Sequence, residues 1–143
     1  MNTDWNKVEQ NIEESQYLYS KYNKKRLDNK KLKGLKLKYF TTEVEPSHAE
    51  LKIILALKKL KVKYLREVSF KGFTTENKGY YRFDFYFPDR NLIIEYDGKE
   101  WHKDSTRDEI KNKFCKKNKI RLVRISSESY YDIEKSIKNI LTL

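Results

Sequence analysis

Four side chains with acid–base or metal-ligating chemistry fall within nineteen residues: Asp84, Glu95, Asp97 and His102. They sit in and just after two aromatic-rich apolar runs, 80–87 and 92–97, separated by Pro88-Asp89-Arg90-Asn91. Such a turn cluster between apolar runs reads as a β-hairpin. Alternate residues of a strand share a face. Tyr81, Phe83, Phe85 and Phe87 therefore take one side, and Tyr80, Arg82, Asp84 and Tyr86 the other. In the second run, Leu92, Ile94 and Tyr96 oppose Ile93, Glu95 and Asp97. With the loop at 88–91, Phe87 faces Leu92, Asp84 faces Glu95 and Arg82 faces Asp97. Opposed like charges, with Cβ atoms roughly 5 Å apart, destabilise a sheet unless a cation or proton lies between them. A hard divalent ion such as Mg²⁺ takes one or two carboxylates, waters and substrate phosphate. The hairpin thus predicts a metal site, with Asp84 the foremost ligand, then Glu95.

Asp97 has three roles open to it: metal ligand, base, or partner of Arg82. His102 suits general acid–base work near neutral pH, although a lone histidine is more often structural.

Helices and strands must position these groups. Pro46-Ser47-His48-Ala49-Glu50 opens a helix over about 47–60, and Ser47 with Glu50 makes a capping box. Residues 64–70 suit a first strand, 71–79 a loop with Gly72 and Gly79, and 80–97 the hairpin. A helix over about 105–118 turns Ile110, Phe114 and Cys115 inward. Ile120–Ile125 reads as a short buried strand, and Ser129 caps a closing helix to about 141. The order is helix, three strands, helix, strand, helix: an α/β fold with a mixed sheet of about four strands flanked by helices.

Upstream, 4–22 suits an amphipathic helix, and 20–38 holds nine Lys or Arg against one acid, Asp28. Solvated charge runs are common. Lys24, Lys25, Arg26, Lys30 and Lys31 in this run favour an arm that contacts nucleic-acid phosphates, with neighbouring tyrosines able to stack on exposed bases. The whole chain of 143 residues carries 32 basic and 21 acidic side chains, net +11, as expected of a protein whose partner is a polyanion. A single cysteine, Cys115, leaves no internal disulfide and fits a reducing compartment, so a cytoplasmic location is expected. No apolar run is long enough to span a bilayer.

Arg-x-Asp-Phe at 82–85, Ile-Glu-Tyr-Asp-Gly-x-x-x-His at 94–102 and Asp-x-x-Lys-Asn-x-x-Cys at 108–115 together resemble the PD-(D/E)xK nuclease superfamily. Within it, they are most similar to the branch of very-short-patch repair and phage homing endonucleases. The likeness covers about 46–141 and implies a restriction-endonuclease-like core at 46–143, preceded at 1–45 by a helix and basic arm. It implies a Mg²⁺-dependent enzyme, with Mn²⁺ as a substitute, that nicks or cleaves duplex DNA in homing, repair or defence, as a monomer or homodimer.

The resemblance places a metal-facing glutamate at Glu50, on the first core helix, beside that residue's capping role. It matches His102 to a family histidine. Asp97 stands where the superfamily usually has lysine, and Lys111, or else Lys99 or Lys103, is expected to take over that lysine's duty. Arg82, Arg107 and Arg124 are candidate phosphate contacts. The alternative is a non-catalytic nucleic-acid-binding module on a degenerate nuclease fold.

Overall fold

The computed structural model describes residues 37–98 and 105–142. The expected helix at 4–22, the arm cations Lys24, Lys25, Arg26, Lys30 and Lys31, and His102 lie outside the described residues. In chain order the elements are β1 (Tyr39–Thr41), α1 (His48–Lys59), β2 (Leu65–Thr74), β3 (Tyr80–Phe87), a 3₁₀ turn (Pro88–Arg90), β4 (Leu92–Tyr96), α2 (Ser105–Lys117), β5 (Arg121–Ile125) and α3 (Tyr130–Thr142). Five strands and three helices make a mixed α/β structure, as the sequence pattern predicts at that level. No helix among the described residues is long and apolar enough to cross a membrane.

These residues divide into two compact units. The first comprises Glu45–Lys63 and 127–142 and packs α1 on α3. Ser47 Oγ accepts the Glu50 N–H at 3.2 Å, and Glu50 Oε1 accepts the Ser47 N–H at 3.3 Å, completing the expected capping box. The far end of α1 closes with Lys61 N–H to Lys58 O and Val62 N–H to Leu57 O, with Lys61 left-handed at φ 55°. That bond pattern usually employs glycine at the left-handed position. On α3, Ile133 and Ile137 are buried one turn apart. Lys59 joins the helices at the surface through Glu134, 3.0 Å away.

The second unit, Leu37–Val44 with 64–98 and 105–126, is a five-stranded sheet in the order β1-β2-β3-β4-β5 with α2. The first four strands are antiparallel neighbours, and β5 runs parallel to β4. Parallel neighbours need a crossover, and α2 provides it. Its Phe114 stacks on Phe73 with centroids 4.0 Å apart and reaches Phe70 at 5.3 Å.

Strands β1, β2 and β5 depart from the expected pattern. Strand β1 falls within the segment read as an arm, and pairs Tyr39 with Phe70. Strand β2 continues through the expected loop to Thr74, because Gly72 takes φ 87° and absorbs an irregularity between Ser69 and Thr74. Strand β5, expected to be buried, is the sheet's edge: Leu122, Val123 and Arg124 are only half-buried, between buried Ile120 just before the strand and buried Ile125 at its end.

The hairpin loop forms as expected, with Phe87 opposite Leu92 and Asn91 left-handed at φ 48°, a conformation Asn tolerates. The clean two-sided split of β3 does not hold. Phe70 contacts both Phe83 and Tyr86, at 5.8 and 5.2 Å, whereas Phe85 and Phe87 meet Tyr64 at 5.8 and 6.4 Å. Unbroken alternation would group Phe83 with Phe85 and leave Tyr86 opposite. The pleat therefore changes phase across Asp84.

Candidate metal and catalytic centre

The phase change coincides with a distortion in the neighbouring strand. Glu67 of β2 has φ 51°, a left-handed conformation in mid-strand for a residue with a full side chain. Such a conformation costs about 1–2 kcal/mol and persists only where the surroundings enforce it. The register pairing Arg66 with Phe85 and Val68 with Phe83 sets Glu67 opposite Asp84. Their carboxylate oxygens lie within 4.8 Å of each other. Glu67 is buried, with Arg82 Nε 3.0 Å from one oxygen and Arg66 Nη2 3.7 Å from the other.

On its other side β3 parts from β4. The ladder stops at Phe85–Ile94, so Asp84 and Arg82 do not continue it opposite Glu95 and Asp97. Instead the Asp84 side chain accepts the Tyr96 N–H at 2.9 Å, an amide that a continuing β3 backbone would have engaged. A carboxylate inserted there is half-buried and held at the mouth of the gap.

Lys111 of α2 bridges the same gap. Its Nζ donates to Arg82 O on β3 and to Glu95 Oε1 on β4, both at 2.7 Å, and lies 5.0 Å from the Phe83 ring centre. The second Glu95 oxygen is 3.7 Å from Arg124 Nε, and Arg124 also reaches Asn112 Oδ1 at 2.8 Å and Asp108 at 3.6 Å. Glu95 is thus buried between two cations. Behind it the Cys115 thiol is pushed up to about 12, chiefly by burial and secondarily by the Glu95 charge.

The sequence-predicted residues are distributed accordingly. Asp84, Glu95, Lys111 and Arg82 belong to one connected patch on β3, β4 and α2. Asp97 is half-buried just past β4 and donates its N–H to Ile125 O at 2.8 Å. Arg107 lies over the Tyr81 ring at 5.5 Å, and Arg124 is committed to Glu95 and Asp108 rather than extended to solvent. Glu50 belongs to the other unit, where it completes the α1 cap.

Sequence reasoning missed Glu67. The available signal was an acid inside the apolar strand Tyr64–Phe70, since a charge buried there must have a partner. What hid it was the length assigned to the 71–79 loop, which left the β2–β3 register unset.

The donors present suit a hard divalent cation: two carboxylates on adjacent strands, within 4.8 Å of each other, one of them half-buried. A family model described as a protein of unknown function (DUF2726) matches residues 81–143, which take in β3, β4, α2, β5 and α3. No curated protein and no solved structure matches the chain.

Proposed function

We propose that this chain is a divalent-metal-dependent DNA endonuclease with a restriction-endonuclease-like core, hydrolysing phosphodiester bonds at a site built around Asp84. The observation that carries the reading is the placement of Asp84 at the point where β3 leaves β4. Its carboxylate there takes the Tyr96 N–H and faces Glu67 within 4.8 Å. Two like charges so close favour cations beside them, and a divalent ion would add to what Arg82 and Arg66 already supply to Glu67. Asp84 and Glu67 would hold the ion, Mg²⁺ or Mn²⁺, which supplies Lewis acidity toward the phosphate and toward the attacking water.

The chain's own residues do the rest. The Lys111 ammonium, 2.7 Å from Glu95, would provide the cation for which Asp97 offers no substitute and help neutralise charge on a phosphate. Arg82, half-exposed beside Glu67, would meet a neighbouring phosphate. On the resemblance, Asp97 would serve as a ligand or base and His102 as a general acid–base group.

The test is cleavage of supercoiled plasmid with Mg²⁺, Mn²⁺ or chelator, beside Asp84→Asn prepared identically. Asparagine keeps an oxygen for the Tyr96 N–H, so the fold is preserved while the charge is lost. Metal-dependent nicking that falls at least about 100-fold in the variant is expected. Equal cleavage by both proteins rejects the site. Salt-sensitive DNA binding without cleavage in either favours the non-catalytic module.

A further inference from the structure

Between the strand gap and β1, the outermost described strand, one face of the sheet carries a set of residues of which only Arg82 also belongs to the hydrolytic site. Phe40, Ser69 and Arg82 form a single row across β1, β2 and β3. The next residues outward on that face are Lys38, Lys71 and Tyr80. Their side chains meet as this placement requires: the Phe40 and Tyr80 rings stand edge to face at 4.9 Å, and Lys71 Nζ lies 6.0 Å from the Phe40 ring centre. In the opposite direction the row leads to Glu67, which Arg82 binds at 3.0 Å, and so to Asp84.

The chemistry of this face is unusual for a solvated sheet. Tyr80 is 44 % exposed, one of three large apolar side chains so exposed among the described residues, and it is held upright by Phe40 rather than covered. Lys38, Lys71 and Arg82 around it are all exposed. Cations flanking a fixed, open aromatic ring match a strand whose phosphates alternate with stackable bases. Paired bases inside a duplex keep their faces covered, so a ring of this kind gains nothing from intact double helix beyond its ends.

We infer that the Lys38–Phe40–Lys71–Tyr80–Arg82 face seats unpaired DNA nucleotides, with Tyr80 as the stacking platform, and leads the strand to Asp84. The proposal deepens the nuclease reading, from which it takes DNA as the polyanion: the substrate is DNA with an unpaired stretch beside the scissile phosphate.

Fluorescence anisotropy in chelator, where no cleavage occurs, tests it on the full chain. The probes are a labelled single-stranded oligonucleotide and the blunt duplex of the same sequence. Tyr80→Ala should weaken single-strand binding about ten-fold and duplex binding less than about two-fold, as expected from the loss of one stacked base. Tyr80→Phe, which keeps the ring, should bind like the parent, and the duplex binding retained by Tyr80→Ala excludes misfolding as the cause. Lys71→Glu should weaken both probes by removing a phosphate contact. Unchanged single-strand affinity in Tyr80→Ala, or an equal loss on both probes, overturns the proposal. Because Asp84→Asn is read by cleavage and Tyr80→Ala by binding, either reading can fail while the other stands.

Discussion

At the scale of the residue, the candidate centre is governed by which charges are compensated. Glu95 was expected directly opposite Asp84. It is instead buried between Lys111 and Arg124, with side-chain exposures of 9 %, 13 % and 22 % respectively. Breaking a buried pair leaves one charge stranded, whereas removing both partners can be nearly neutral. Lys111→Met should therefore cost about 2 kcal/mol in urea unfolding, Arg124 retaining part of the attraction. The double variant Lys111→Met with Glu95→Gln should recover most of that loss. Additive losses in this cycle would contradict the coupling.

Cys115 gives the same patch a pH signature. Its thiol is held protonated up to about 12 in the fold, against 9.0 ordinarily, so below pH 9.0 it is neutral in both folded and unfolded chains and contributes no pH dependence. Above 9.0 only the unfolded chain ionises, and stability falls as pH rises toward about 12. The parent should lose stability more steeply than Cys115→Ala over that interval, as urea midpoints at successive pH values would show.

At the scale of the element, helix ends and strand irregularities decide where the centre stands. Ser47 begins α1 through a reciprocal cap, and Ser47→Ala should cost about 1 kcal/mol by chemical denaturation. Helix α2 ends as α1 does, with Lys119 N–H to Lys116 O, Ile120 N–H to Cys115 O, and Lys119 left-handed at φ 57°. A lysine pays there for a conformation that glycine adopts freely. Lys119→Gly should raise stability by about 0.5–1 kcal/mol, readable as a higher melting temperature. The irregularity at Glu67 differs in kind. It lies in mid-strand beside Asp84, and the parting of β3 from β4 on the other side of Asp84 supplies the gap that Lys111 spans.

At the scale of the whole molecule, the net charge of +11 bears on association rather than on folding. If Lys38, Lys71 and Arg82 each neutralise a phosphate, these three contacts give a logarithmic salt slope of about −2.7 on duplex and about −2 on single strand. A four-fold rise in monovalent salt should then weaken duplex binding at least about 40-fold, with any cations outside the described residues steepening the fall. A slope near zero in a filter-binding or anisotropy titration would remove DNA as the partner.

Local pattern by itself determined three helices to within about a residue of 48–59, 105–117 and 130–142, the hairpin loop with Phe87 opposite Leu92, and the cap at Ser47. Each depends on neighbours within a few positions, where periodicity, capping chemistry and turn residues act directly. Extrapolating that pattern failed where a non-local contact intervened. Unbroken alternation set Asp84 against Glu95, but the pleat changes phase at Asp84 and Glu67 becomes its neighbour from a strand of unknown register. Lys111 was legible only as one of three candidate lysines, with Lys99 and Lys103. Helix packing through Phe114 on Phe73 brings its ammonium to Glu95 and the Arg82 carbonyl. Register and crossover are set by side chains far apart in the chain packing together, and no local window contains that information.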